Sequence, residues 1–384
     1  MDILQKDIHE YINDNLNEYH YLEDIEQQLH ISCAIKSNLY HIYSDTDIST
    51  VKKYVIDNIV DQYINDKNIN DKNIKERKEK LKKLKQLKLP DQRTPEWYEM
   101  RKNKLTASSL SSAIGHGYFT TRDELLLDKI IEKPYESNPI TEHGVKYEEV
   151  ATRLYEELYN TKIVEFGMVP HPKFEAFGAS PDGICDDMGN DEYVGRMIEI
   201  KCPPKRKFTK TVPPHYLQQV LGQLEVCDLD ECDFFQVKIE DYESYENYKK
   251  DIFVIDDMIM PGRNSQNYPK GVTITYKQGE TLSYVYSDFN KTDEEHIEWI
   301  SNQSTENLFE IKWWTITRYE TTLVKRDKKW WINVIDKIVL FYQDLLDYRS
   351  GDKDIEELKQ RVIESKKRKK KEQLISLNDF ELLD

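Results

Sequence analysis

Gly178-Ala179-Ser180-Pro181-Asp182-Gly183-Ile184, followed after a polar stretch by Met197-Ile198-Glu199-Ile200-Lys201-Cys202-Pro203-Pro204, is the pair of segments whose reading decides the fold. In the second segment Glu199 and Lys201 alternate with Ile198, Ile200 and Cys202. Strand side chains repeat every two residues, so both charges fall on one face and the apolar residues on the other. In the first segment an apolar run from Phe174 to Ala179 ends in Ser-Pro-Asp-Gly, where Pro181 and Gly183 turn the chain at a strand end and fix Asp182 there. The polar stretch Asp186 to Gly195 then joins two strands into an antiparallel hairpin that brings Asp182 and Glu199 together. Paired carboxylates repel one another, which makes them poor structural elements but good oxygen donors for a hard divalent cation. Either segment alone reads most simply as a turn aspartate or a solvent-facing Glu-Lys pair. The two in order favour a site.

Bulk properties narrow the class. A chain of 384 residues is long enough for a full core and two or three units. Hydrophobic residues make up 38% and charged residues 33%, with no apolar run of about 18 residues. The start, Met1-Asp2-Ile3, carries no basic and apolar leader, so the expectation is a protein that neither spans a membrane nor is secreted. The cysteines, Cys33, Cys185, Cys202, Cys227 and Cys232, are odd in number and form no C-x-x-C pair, which argues for a reducing compartment and against a disulfide framework or zinc ribbon. A net charge of -16 counts against a nucleic-acid partner, yet basic clusters stand at Lys75 to Lys88, Lys201 to Lys210, Lys325 to Lys329 and Lys366 to Lys371.

Along the chain, the spacing of Val51, Val55, Ile59 and Ile64, with Ser49 or Thr50 as cap, predicts a helical N-terminal unit over residues 1–70. A basic linker or helix, 71–91, follows and ends at Pro90. It reads as a DNA-contacting arm or, more simply, as a solvated linker helix. The central domain spans 92–348 and a charged tail 349–384, whose basic run has the composition of a nuclear import signal or a DNA-binding tail. Thr94-Pro95-Glu96-Trp97 is a helix start. Thr106-Ala107-Ser108-Ser109 offers hydroxyls suited to capping a further helix, and with Arg101 nearby such a terminus would hold an anion. A helix beginning near His143 carries Glu148 near its start. In Pro214 to Gln223, Tyr216, Gln219 and Gln223 share one helical face. The Lys325 to Trp331 segment reads as aromatic packing beneath a charged face, with base stacking as its competitor.

With these segments in hand, the chain resembles the PD-(D/E)xK nucleases, and within them the bacteriophage lambda exonuclease or YqaJ-type viral recombinase family. The resemblance covers about Gln92 to Glu240 and rests on five elements in order: Arg101 with Thr106-Ala107-Ser108, Gly144 to Glu148, Ser180-Pro181-Asp182-Gly183, Glu199-Ile200-Lys201-Cys202-Pro203, and Tyr216-Leu217-Gln218-Gln219. The relatives it suggests are exonuclease-like proteins of large double-stranded DNA viruses, and the Asn-, Asp-, Ile-, Lys- and Tyr-rich composition agrees with an A/T-rich genome. The resemblance implies an α/β (α+β) restriction-endonuclease-like core, a mixed central sheet flanked by helices, with the helical N-terminal unit added.

It also implies roles. Asp182, Glu199, the main-chain carbonyl of Ile200 and more distantly Glu148 hold one or two Mg²⁺ ions, for which Mn²⁺ substitutes. Lys201 either deprotonates the attacking water or stabilises the transition state. Arg101, Ser108 and Ser180 form a pocket for a terminal 5′-phosphate, and Tyr216, Gln219 and Gln223 support the site. The implied function is a metal-dependent exonuclease acting 5′ to 3′ on linear duplex DNA in recombination, repair or genome processing. An endonuclease or nickase on the same fold, and a non-catalytic DNA-binding assembly protein, stand as alternatives. The implied partners are double-stranded DNA ends, a single-strand annealing protein and further copies of the chain, in the cytoplasm of an infected cell or its nucleus.

Overall fold

The computed structural model of the chain describes residues 35–40, 50–131, 138–205 and 208–381. Expectations for Ser49 and Cys33, for the side chains of Val51, Val55 and Ile64, for Arg206 and Lys207, and for the side chains of Lys369 to Lys371 lie outside the described residues.

The chain divides into two compact units, Met1–Glu79 and Lys80–Asp384. In the first, the helical segment 35–40 and α1 (Thr50–Lys85) bury Ile35, Leu39, Ile56 and Val60. Lys36 pairs with Asp61 at 2.6 Å, and Tyr40 donates to Asp57. One helix therefore runs through residue 70, where the sequence suggested a change from a helical unit to a linker. Its last turns belong to the second unit, with Leu81 and Leu84 in the core. Amphipathic burial, not solvation, sets this stretch, and Lys80 and Lys85 pair with Asp230 and Asp186.

The second unit opens with α2 (Pro95–Asn103), capped by Thr94, whose side chain accepts from the Trp97 N–H. Then come β1 (Leu105–Thr106), α3 (Leu110–Ala113), α4 (Arg122–Ile130), α5 (Pro139–Tyr159), β2 (Thr161–Val164), β3 (Val169–Pro170), β4 (Phe177–Ala179), β5 (Gly183–Gly189), β6 (Met197–Lys201), α6 (Pro214–Cys227) and β7 (Glu231–Asp241). The elaboration that follows is α7 (Tyr245–Lys250), β8 (Phe253–Ile255), β9 (Met258–Met260), β10 (Lys270–Gln278), β11 (Thr281–Tyr286), α8 (Asp293–Ser301), β12 (Leu308–Lys325), α9 (Lys328–Ser350) and α10 (Ile355–Glu381).

Among the described residues the main sheet runs β11-β10-β12-β7-β6-β5-β2. β5 and β6 pair antiparallel, with Gly183 opposite Ile198, as the hairpin reading requires. β6 and β7 pair parallel, so α6 must cross over between them. The expected mixed sheet flanked by helices is thus the observed architecture. Period-two alternation on β6 divides the layers. Ile198 and Ile200 pack with Tyr147, Val150, Ala151 and Leu154 of α5, while Met197 joins Val220 and Leu224 of α6 on the other face.

Two features differ from the sequence reading. α5 starts at Pro139, because Asn138 accepts from the Ile140 and Thr141 N–H groups (3.1 and 3.0 Å) and proline fits the first helical position. Glu148 consequently lies in the middle of the helix, not near its start. The 18-residue strand β12, which pairs with β7 along Trp314 to Lys325, went unread because its tryptophans and alternating charges hid the period. At Trp330 and Trp331 the packing reading holds: Trp331 is buried and stacks on His171 at 5.3 Å.

Candidate nuclease site

A three-stranded sheet explains how distant motifs meet. β1 pairs parallel with β4, setting Leu105 opposite Phe177 and Thr106 opposite Gly178. The Thr106-Ala107-Ser108 segment thereby runs alongside Gly178-Ala179-Ser180. α6 closes over both, and at Gly222 a side chain would meet the Leu110 methyl at 2.8 Å and the Phe177 ring at 3.2 Å, so a larger residue here would require those side chains to shift.

Glu199 sits fully buried on the α6 face of β6. Its carboxylate accepts from Gln219 Nε2 at 2.5 Å, from Gln223 Nε2 at 2.8 Å and from the Lys201 ammonium. The two glutamines, one helical turn apart, thus hold both carboxylate oxygens. Gln223 Nε2 also reaches the Ser180 carbonyl at 3.5 Å. Tyr216 presents its ring 5.1 Å from Lys201 Nζ. The three polar residues predicted to share a helical face do so, and they face the Glu-Lys pair.

Asp182 occupies the turn between β4 and β5, where its Oδ2 accepts from the buried Ile200 N–H at 2.7 Å. Burial first, then Glu199, push its carboxyl well above the usual range, against the opposing pull of Lys201. Burial alone would lower the Lys201 pKa, but Glu199 and Asp182 outweigh it and raise it. The lysine is an ammonium in this state.

Glu148 has a different partner. Arg93 grips both of its oxygens at 3.0 Å from a left-handed backbone position, φ 68°. Burial raises the Glu148 carboxyl despite Arg93 and Lys201. Among the described residues no group of three or more His, Cys, Asp or Glu side chains is assembled around one point. The chemistry of the donors nevertheless fits a hard divalent cation: all are carboxylate oxygens, and burial, which raises the Asp182 and Glu148 carboxyls, leaves them short of the solvation that a bound cation would replace.

The residues expected to hold a phosphate also lie together. Arg101 donates to Ser108 Oγ at 3.1 Å, and Thr106 and Ser108 hydroxyls lie 3.0 Å apart. These hydroxyls do not cap a helix as expected, since Thr106 and Ser109 make no side-chain cap bonds and α3 is only four residues long. Sequence reasoning missed the residue that joins this group to Ser180. Trp97 lies beneath the Arg101 guanidinium at 4.4 Å and donates its indole N–H to Ser180 Oγ at 3.0 Å. Gln92 was missed as well; its amide donates to the carbonyls of Pro181 (3.0 Å) and Phe166 (2.9 Å), fixing the turn that carries Asp182. Trp97 reads only as part of a helix start and Gln92 only as the first residue of the central domain, because nothing local reveals partners some 80 residues away.

The chain is similar to several known proteins. An uncharacterized protein of Acanthamoeba polyphaga mimivirus is 29% identical over 304 residues, which cover 70% of this chain and 55% of that protein. The chain therefore spans about half the length of that relative. Solved structures similar to it are an alkaline exonuclease from Laribacter hongkongensis (19% identity, TM-score 0.40, covering 71% of this chain and 99% of that one) and a phage-related exonuclease from Haemophilus somnus (15% identity, TM-score 0.34, covering 65% and 96%). Residues 96–230, the stretch that contains every side chain of the Asp182, Glu199 and Arg101 groups except Gln92 and Arg93, match the YqaJ-like viral recombinase domain.

Proposed function

We propose that the protein is a divalent-metal-dependent exonuclease that degrades linear duplex DNA from a 5′-phosphorylated end. The observation that supports this reading most directly is the adjacency of two groups. Asp182, Glu199 and Lys201 form one, and Arg101, Ser108 and Ser180 the other, linked through Gln223, which bonds both Glu199 and the Ser180 carbonyl, and through Trp97.

In this reading Asp182, Glu199 and the Ile200 carbonyl hold Mg²⁺ or Mn²⁺, with Glu148 joining once Arg93 releases it. The cation supplies charge to offset the scissile phosphate and acidify a water. Gln219 and Gln223 fix the Glu199 carboxylate, so that it need not reorganise during turnover. The Lys201 ammonium, held above its usual pKa, stabilises negative charge on the phosphate oxygens. Arg101, pressed flat on Trp97 and partly desolvated, presents its remaining donors to a terminal phosphate, which sets the polarity. A homo-oligomer and a single-strand annealing partner belong to the same reading. Four buried free thiols, Cys185, Cys202, Cys227 and Cys232, suit a reducing compartment inside an infected cell.

The test is incubation with Mg²⁺ and either linear 5′-phosphorylated duplex or closed circular DNA. Loss of the linear form alone is expected, with Asp182→Ala and Lys201→Ala both slower by orders of magnitude. Cutting of circles would replace the reading with an endonuclease. Binding without cutting would leave a DNA-assembly protein.

A further inference from the structure

Beside the phosphate group lies a cavity of about 210 Å³ whose walls differ in chemistry. One wall is aromatic: Tyr118, Phe119 and His215. The other is hydroxyl-rich, with Ser108 and Ser112 among its residues, and Gln219 lies at its inner end. Tyr118 stacks on His215 with centroids 5.1 Å apart and planes 12° from parallel, and Phe119 meets the same imidazole edge-on at 5.4 Å. His215 in turn packs on Tyr216 at 4.1 Å, which continues to Phe234 of the core. The rings are therefore anchored, yet Tyr118 and Phe119 each remain 72% exposed.

The loop that presents them is built for this. A side chain at Gly117 would meet the Thr120 carbonyl oxygen at 1.9 Å, so the turn closes only around glycine. Gln218 ties the preceding residue, His116, to α6 with a 3.0 Å hydrogen bond. Two large rings held out of the core on a tight turn favour a ligand with a flat apolar face.

The geometry points to a subsite for the nucleobase of the 5′-terminal nucleotide, lifted from its pair and stacked on Tyr118 and Phe119. This rests on the DNA-end reading above. A nucleobase has a π-face for the aromatic wall and polar edges for the hydroxyl wall. The position agrees: Ser108 belongs to both the cavity and the Arg101 phosphate group, and Gln219 belongs to both the cavity and the Glu199 carboxylate. A terminal nucleotide with its 5′-phosphate at Arg101 and its 3′ side at Glu199 would have its base beside Ser108 and Gln219, which line the cavity together with the rings. Stacking recognises any base, so the subsite takes all four.

The test uses the full chain with Ca²⁺ in place of Mg²⁺, read before any product forms. Two 5′-phosphorylated duplexes, each with its 5′-terminal nucleotide left unpaired as a one-nucleotide overhang so that no pair has to open, one normal and one abasic at that nucleotide, carry a dye at the far end for anisotropy. Base stacking is worth about 1–3 kcal/mol, so the normal end should bind roughly tenfold more tightly than the abasic one. Tyr118→Leu with Phe119→Leu should remove that preference without changing affinity for the abasic end, and Tyr118→Phe should keep it. Equal wild-type binding of the two ends overturns the subsite, as does a preference that survives the leucine pair. Failure to bind either end removes the DNA-end reading and the subsite with it. If light scattering shows that the leucine pair splits a wild-type oligomer, the rings serve a second copy of the chain and the proposal falls.

Discussion

Replacing Trp97 with phenylalanine tests whether the proposed phosphate group at Arg101 acts separately from the proposed metal-holding carboxylates. The substitution leaves a ring beneath Arg101, whose guanidinium now lies 4.4 Å from the indole, but removes the donor that reaches Ser180 Oγ at 3.0 Å. A neutral hydrogen bond contributes about 0.5–1.5 kcal/mol net. The weaker quadrupole of phenylalanine removes about another 0.5 kcal/mol from the cation–π contact. Together these come to about 1–2 kcal/mol, or roughly 5- to 30-fold. The assay compares kcat/KM on duplexes that differ only in a 5′-phosphate or 5′-hydroxyl. The preference for phosphate should fall by that factor, while the rate on the hydroxyl end stays within about twofold, since that end does not use the pocket. An unchanged preference would mean that Trp97 does not position Arg101 and Ser180. An equal fall on both ends would place its influence on the metal-holding carboxylates or on the fold. Trp97→Ala is the less informative variant, because emptying a buried site costs about 3–5 kcal/mol of stability.

Other perturbations address neighbouring parts. Gln223→Leu deletes a buried donor to Glu199, worth about 1.5–3 kcal/mol for a charged acceptor, and should lower kcat/KM by roughly 10- to 100-fold; a wild-type rate would remove the glutamine's role in fixing Glu199. Arg93→Gln frees Glu148 from a partly exposed pair worth about 1 kcal/mol after screening. Calorimetry without DNA should then give Mn²⁺ affinity roughly fivefold higher, and equal or weaker binding would refute the idea that Arg93 competes for this carboxylate. His296, fully buried and faced by Glu295, Lys270, Lys291 and Asp288, has its pKa pushed down to about 4 by burial. Its folded pKa lies below the unfolded value, so the unfolded chain binds the extra proton and stability is lost as pH falls from about 6.5 to about 4. The loss approaches about 3 kcal/mol, and urea midpoints of His296→Leu should show a correspondingly flatter acid limb.

The hairpin and its chemistry were legible because they are local. Alternation on β6 fixed which face carries Glu199 and Lys201, and Pro181 with Gly183 fixed the turn at Asp182. The face of α6 followed from helical spacing, and the structure turns its glutamines onto Glu199. What stayed hidden depends on pairing between strands far apart in sequence. The alignment of β1 with β4 rests on two short strands of two and three residues, too brief to leave a period. Arg93 sits in the left-handed region for which its side chain gives no signal, so its grip on Glu148 was unreadable. The start of α5 was misplaced because Gly144 drew the boundary inward, although Asn138-Pro139 is the stronger start signal.

The charge balance of the site bears on how Lys201 works. Three carboxyl groups, Asp182, Glu199 and Glu148, outnumber two cations, Lys201 and Arg93, an excess of acidic groups in which burial raises the Asp182 and Glu148 carboxyls. The whole chain, at a net charge of -16, adds no attraction for DNA. In the proposed reading, phosphate is therefore met by positive charge placed within contact distance, by Arg101 over the Trp97 ring at the end and by a divalent cation at the scissile bond. The same excess raises the Lys201 pKa, because Glu199 and Asp182 both hold its proton. As long as those carboxylates face the lysine alone, it is an ammonium that stabilises charge and not a base that accepts a proton. Sharing them with a cation would weaken their hold on the proton, so a role for Lys201 as general base requires the loaded site, whereas its electrostatic role does not.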